Sequence, residues 1–333
     1  MPVQITIIGL GQIGASIGLA LKERGTDVHI VGNDKNSHTA KTAKKIGAVD
    51  AFKYNLPDSV RDAGIVILAL PLGEVRETLE VIAPDLQEGA LVLDASLSKG
   101  TFVSWAEELI PQGRFYMGLF PAIHPEYLND TKTGVEAARA DLFEKGVMVI
   151  TAPATAPANI FDLTANLITI LGSMPLVMDA VEADGLIGKI QVLPQLAAAA
   201  LLNTTLDQPG WVEAKKISGR PYAAVTAGLA DHDDAPSLRE YALGNRENTV
   251  RLLNEYITSL IELRDEIETS DSDALAKRLN DAWEGRDDWL NDRFAAKWLD
   301  RSSDKMDVPA FGRQLSHMFF GSSDRDRLLT KRK

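Results

Sequence analysis

Apolar and polar residues follow two different rhythms along this chain, and the change near residue 150 divides it. In the first half, short apolar runs recur and each leads into a helical pattern. Residues 5–8 read as a buried strand, and Ile13, Ile17 and Leu21 repeat behind it at helical spacing. A second strand ends at Asp34, and 38–47 reads as a helix stopping at Gly47. Residues 65–70 (IVILAL) form a continuous apolar run ended by Pro71, as expected of a strand covered on both faces. A helix over 74–83, a strand over 91–94, a helix over 102–109 and strands over 115–118 and 147–150 complete the half. This alternation predicts an α/β fold: an N-terminal doubly wound parallel sheet, followed by an all-α C-terminal domain.

The boundary is expected in the proline- and alanine-rich stretch 151–159, giving a sheet domain over 1–152 and a helical domain over 153–300. Beyond it the periodicity is helical, over 161–171, 183–206, 238–268 and 274–290. The second of these, with VLPQLAAAALL, is apolar nearly all round, which predicts a buried central helix. Such a helix often lies at a dimer core, so a homodimer through the helical domain is expected. Residues 301–333 read as a locally basic, flexible tail with one apolar anchor at Met318–Phe320.

Composition narrows the class. With 333 residues, 45% of them hydrophobic, the chain can build real cores, and a formal charge of −12 argues against nucleic-acid or membrane-surface partners. No cysteine is present, which removes disulfides and thiolate chemistry. The N-terminus reads as a strand without a charged leader, and the apolar stretch 192–202 is too short for a bilayer. A cytoplasmic protein is expected. The acidic run Asp231, His232, Asp233 and Asp234 matches no metal-loop spacing, and no metal is expected.

The first candidate chemistry lies between the first strand and the first helix, at Gly9-Leu10-Gly11-Gln12-Ile13-Gly14. Gly9 permits a tight turn, Gly11 lets the backbone approach a pyrophosphate, and Gly14 lets helix and strand pack closely. The diphosphate would sit on the unpaired amides at the helix N-terminus. Asp34, at the end of the second strand, is placed to accept both ribose hydroxyls. These features predict NAD; Asp34 would repel a 2′-phosphate, while Lys35 and Lys41 leave NADP possible. Leu70 and Pro71, in the turn after the apolar run, complete the predicted cofactor contacts.

The motifs GLGQIGASIGLALK, GND at 32–34, the stretch 65–100, LPQLAAAALL and GNRENTV resemble those of the prephenate and arogenate dehydrogenases of tyrosine biosynthesis. The resemblance implies oxidation of a ring carbinol by hydride transfer to nicotinamide, with decarboxylation, on a small anionic substrate. In this family a His-Pro after the fifth strand takes the hydroxyl proton. A serine follows the fourth strand, a Leu-Pro-His begins the central helix, and an arginine holds a carboxylate. Here those positions fall on Phe120-Pro121, Leu97, Leu193-Pro194-Gln195 and the neighbourhood of Ala227.

The residues left for the chemistry are therefore nearby substitutes. His124 is the histidine of the expected catalytic loop, as base or as a plain loop residue. Lys99 would hold an anion or be solvated. Ser96 and Ser98 would contact nicotinamide or substrate, or cap the following helix. Gln195 would orient a substrate hydroxyl or satisfy backbone freed by Pro194. Arg220 would clamp a carboxylate or be a surface cation. Two alternatives stay open: a related oxidoreductase acting on another hydroxy or imino acid, and a catalytically silent NAD(P)-binding sensor.

Overall fold

The computed structural model describes residues 2–298 apart from 131 and 231–233. The expected tail and the Asp231–Asp233 run fall outside the described residues. Eight strands form one sheet: β1 (Val3–Ile8), β2 (Val28–Asn33), β3 (Ala51–Phe52), β4 (Ala63–Leu68), β5 (Leu91–Asp94), β6 (Phe115–Pro121), β7 (Val147–Thr151) and β8 (Met174–Val177). Their order is β3-β2-β1-β4-β5-β6-β7-β8, and every neighbouring pair is parallel except β6–β7. From β1 the chain winds one way to β2 and β3, then the other way to β4. That reversal opens a crevice beyond the carboxyl ends of β1 and β4, where open α/β sheets take ligands.

Helices α1 (Gln12–Glu23), α2 (Ser37–Lys45), α3 (Leu56–Val60), α4 (Leu72–Ile82), α5 (Lys99–Leu109) and α6 (Ala158–Ile170) cover the sheet. β4 shows why its sequence is apolar throughout. Ile65 and Ile67 join the core beneath α1 and α6, while Val66 and Leu68 join the opposite core beneath α4 and α5. A strand buried on both faces has no position at which water rewards a polar side chain.

The structure corrects the expected boundary. Residues 158–170 belong to the sheet domain: Ile160, Leu163, Leu167 and Ile168 of α6 lie in the same core as Ile5 and Ile7. β8 then adds an edge strand paired with β7, so the purely helical part begins after Val177 rather than at 153. The proline-rich stretch is a turn within the domain.

The helical part comprises α7 (Ala180–Ile187), α8 (Leu193–Thr205), α9 (Trp211–Ile217), α10 (Arg220–Thr226), α11 (Ala235–Gly244), α12 (Arg246–Glu268) and α13 (Ser272–Ala295). A wider π-turn at Gly188–Val192 joins α7 to α8 just before Pro194, which has no amide to donate. The continuous helix Ala180–Thr205 is, by length and composition, long and apolar enough to cross a membrane. The expectation that it is buried nearly all round is not met in the single chain. Ala183, Ile187 and Val192 pack against Leu72, Leu97 and Tyr241, whereas Val181 is 82% and Ile190 65% exposed. The pattern expected as one helix over 238–268 is broken at Asn245, between α11 and α12.

Because α6 is part of the sheet core, Leu163→Ala is expected to lower the unfolding free energy by about 2–5 kcal/mol. Urea unfolding followed by circular dichroism checks this; a loss below about 1 kcal/mol would contradict the packing described.

Candidate active site

The cofactor end is built from backbone. Gly9 has φ +87°, and a Cβ there would lie 2.3 Å from the Ala69 carbonyl oxygen. A Cβ on Gly14 would stand 1.9 Å from the Gly9 carbonyl oxygen, whereas one on Gly11 would meet nothing within 4 Å. Gly9 and Gly14 are thus fixed by packing, and Gly11 faces open space of the kind a pyrophosphate fills. The N-terminus of α1 has no side-chain cap and no acid in its first turn. The helices α2, α3, α5, α7, α11 and α13 each carry a capping side chain. With no side-chain cap, α1 turns the positive end of its dipole toward this space, which suits an anion.

Asp34 stands beside them. Its Oδ2 accepts the Leu10 N–H at 2.8 Å and its Oδ1 accepts the Asn36 N–H at 2.8 Å. Each oxygen keeps a further lone pair, enough for the two hydroxyls of a ribose. Lys35 is engaged by Glu74, which raises its pKa. Leu70 lies over Gly9, and Pro71 begins α4. Gln12 reaches the Ala137 carbonyl and Ile13 packs against the α1 core. These residues fit NAD.

The second part is the turn after β5. Asp94, fully buried, accepts the Ser96 N–H and Oγ–H at 3.2 and 2.8 Å. Lys99, also fully buried, reaches back to Asp94, with its Nζ 3.0 Å from Oδ2 and 3.1 Å from the carbonyl oxygen. Its side chain runs past Gly118, where a Cβ would stand 2.7 Å from Lys99 Cδ. Ser98 caps α5. From the helical part, the Asp184 carboxylate accepts the Lys99 N–H at 2.6 Å, the Gly100 N–H at 3.0 Å and the Ser98 Oγ–H at 3.2 Å. Burial pushes this carboxyl up, against the opposing pull of those donors. The Asp184 carbonyl in turn accepts the Tyr241 hydroxyl at 2.6 Å.

The structure therefore brings Ser96, Ser98 and Lys99 together in one network of bonds within the protein. Sequence reasoning missed Asp94, Asp184 and Tyr241. An acid ending a buried strand was the available signal for Asp94; nothing local marks the other two.

The third part holds the remaining candidate residues. Leu97 and Phe120 join one apolar cluster with Val149, Met178, Val192 and Leu196. His124 is 6% exposed and sits at the start of a short 3₁₀ turn. Its Nδ1 accepts the Glu126 N–H at 3.2 Å and its ring lies 5.4 Å from that of Tyr127. Neutral His124 thus carries its proton on Nε2. Gln195 is buried, donating to the Gln191 carbonyl at 3.1 Å. Arg220 is exposed at the start of α10, which packs against α8.

Comparison with known proteins gives the arrangement its context. The family described as prephenate dehydrogenase, nucleotide-binding domain, matches residues 17–174. Prephenate dehydrogenase of Bacillus subtilis is 25% identical over 286 residues, covering 85% of this chain and 75% of that protein. That of Lactococcus lactis is 32% identical over 200 residues, covering 60% and 53% respectively. Residues 17–174 thus resemble the nucleotide-binding domain of the prephenate dehydrogenases, and the similarity to whole members of that family runs over most of the chain. The match begins inside α1, so the glycine turn at 9–14 is a separate observation. Prephenate dehydrogenase from Aquifex aeolicus, crystallised with hydroxyphenyl propionate and NAD+, shares the fold. The TM-score is 0.74 at 23% identity, over 86% of this chain and 98% of that one. In this chain, the turn that carries Leu97 is held from below by Asp94 and from above by Asp184.

Lys99→Met leaves the Asp94 carboxylate buried without its cation, so a loss of about 3–5 kcal/mol is expected. Adding Asp94→Asn removes that charge and should recover most of the loss. Denaturant titrations of the two variants check this; equal losses would show that the unpaired Asp94 charge is not what the single substitution costs.

Proposed function

We propose that this chain is an NAD-dependent dehydrogenase of the prephenate/arogenate type, oxidising and decarboxylating a ring hydroxy acid in tyrosine biosynthesis. The observation that carries the reading is the complete dinucleotide turn, with its uncapped α1 and ribose-facing Asp34, in a chain that resembles this family. NAD, when bound, supplies the hydride acceptor. The residues of this chain bind the dinucleotide, wall off water with Leu97, Phe120 and Leu196, and receive the substrate's anionic groups.

His124 is the residue assigned to the hydroxyl proton, and it must give up the Glu126 N–H to present a basic nitrogen. That bond specifically favours a second reading, in which His124 only caps its turn and the chemistry is carried without it. Arg220, on the helix beside Gln195, is assigned to a substrate carboxylate. Lys99, Ser96 and Ser98 act by holding the turn beneath the substrate. The cellular place that suits such a biosynthetic role is the cytoplasm.

The measurement is NADH formation at 340 nm with prephenate and with arogenate. His124→Asn separates the two readings, because Asn accepts the capping amide but takes no proton. A base is worth about 10²–10⁴ in rate. A fall of that size in kcat, with NAD binding retained, supports His124 as base; near-native turnover assigns it to the cap. No turnover of either substrate by the wild type would overturn the proposed function.

The exposed face of Ala180–Thr205 is apolar at Val181, Leu186 and Ile190, and α12 adds Ile257, Leu260 and Ile261. We propose that a second copy of this chain covers these surfaces, since their chemistry is that of a core without its other half. Light scattering at micromolar concentration should give twice the chain mass. Leu260→Glu with Ile261→Lys should shift the species to monomer, and a wild-type monomer would contradict the assignment.

A further inference from the structure

Lys35 and Glu74 come from opposite walls of the cofactor crevice. Lys35 follows β2, directly after Asp34, while Glu74 lies in the first turn of α4, after β4. In the sheet β1 lies between β2 and β4. An ion pair between Lys35 Nζ and Glu74 Oε1 therefore spans the carboxyl end of β1, above the glycine turn. Asp34, whose two oxygens are held by the Leu10 and Asn36 amides, is the residue read as accepting the adenosine ribose, and it fixes the location along the dinucleotide.

The pair stands in an acidic setting. Besides Glu74, Asp34 and Asp234 also act on the Lys35 ammonium. Asp234 is firmly mounted: it accepts the Ser237 N–H at 2.9 Å, and Ser237 Oγ accepts the Gly73 N–H at 3.2 Å. Three carboxylates thus act on one ammonium, and that ammonium is already bonded to Glu74. A ribose with free hydroxyls has nothing to fear from this arrangement, because hydroxyls donate to carboxylates. A 2′-phosphate carries about two negative charges and accepts only, so it needs a cation that Glu74 already holds.

We propose that Glu74, by clasping Lys35 across the crevice, is a determinant of the choice of NAD over NADP in addition to Asp34. The inference rests on the reading of this crevice as a dinucleotide site. The clasp is on the surface, with Lys35 78% exposed, so its own contribution to stability is small. Its effect is on selection: it withholds the nearest cation from the phosphate and adds a like charge beside it.

Titration calorimetry on the full chain with NAD and with NADP tests this. Wild type should bind NAD more tightly. Glu74→Gln releases Lys35 and removes one negative charge, so NADP affinity relative to NAD should rise on the order of tenfold. Adding Lys35→Ala to Glu74→Gln should abolish most of that gain, because the cation that produced it is gone. An NAD/NADP ratio in Glu74→Gln equal to wild type, with NAD still bound, overturns the clasp alone. A gain that survives Lys35→Ala also overturns it. Failure of the wild type to bind either nucleotide overturns the clasp together with the dinucleotide reading.

Discussion

The Asp184 carboxylate, seated on the first amides of α5, is the contact on which the cleft depends. A helix N-terminus buried at a domain junction exposes amides that water cannot reach, and each one left unpaired costs about 1–3 kcal/mol. Asp184 satisfies the Lys99 and Gly100 N–H groups with one side chain and brings a negative charge to the positive end of the helix dipole. Because Asp184 belongs to α7, the same bonds set where the helical part sits over the sheet. Its carbonyl, bound by Tyr241 of α11, carries that placement one helix further.

Beneath the same turn, the Asp94–Lys99 pair works from inside the sheet domain. Both groups are fully buried, and such a pair is held as much by what its rupture would cost as by its own attraction. Residues 94–100 are consequently fixed at both ends, and Leu97 between them packs into the apolar cluster with Leu72, Ile187 and Tyr241. The two sides of the cleft then differ sharply in chemistry. The cofactor side offers backbone amides and one well-aimed carboxylate. The side at the helical part is hydrocarbon, from Leu97 and Phe120 to Leu196. An apolar wall excludes water and strengthens whatever charged contact a bound substrate makes.

That division explains why the site residues were unequally legible. The glycine turn is a local object: strand, three glycines, helix and acid occur within about thirty residues, and each glycine has one steric reason to be there. Asp184, by contrast, lies 85 residues from the amide it binds, in a helix whose sequence suggests only packing. Lys99 at the start of a helix reads as a solvated cation until β6 is placed beside it, with Gly118 leaving room for its side chain. His124 reads equally as base or loop residue, and its hydrogen bond to Glu126 is a fact of the folded turn.

The sequence by itself determined the doubly wound sheet, the strand-to-helix turn that receives a dinucleotide, and the helical character of the C-terminal half. These depend on short-range periodicity and on glycine sterics, which need no tertiary contact to be read. Tertiary structure decided the rest. It drew α6 and β8 into the sheet domain, because the open side of the Ile5–Ile7 core needed covering and β7 offered an unpaired edge. It also left one face of Ala180–Thr205 bare, and it assembled Asp94, Lys99 and Asp184 into one buried network. Such pairings are chosen by which surfaces and charges remain unsatisfied after the local elements form, and that is settled only when distant parts of the chain meet.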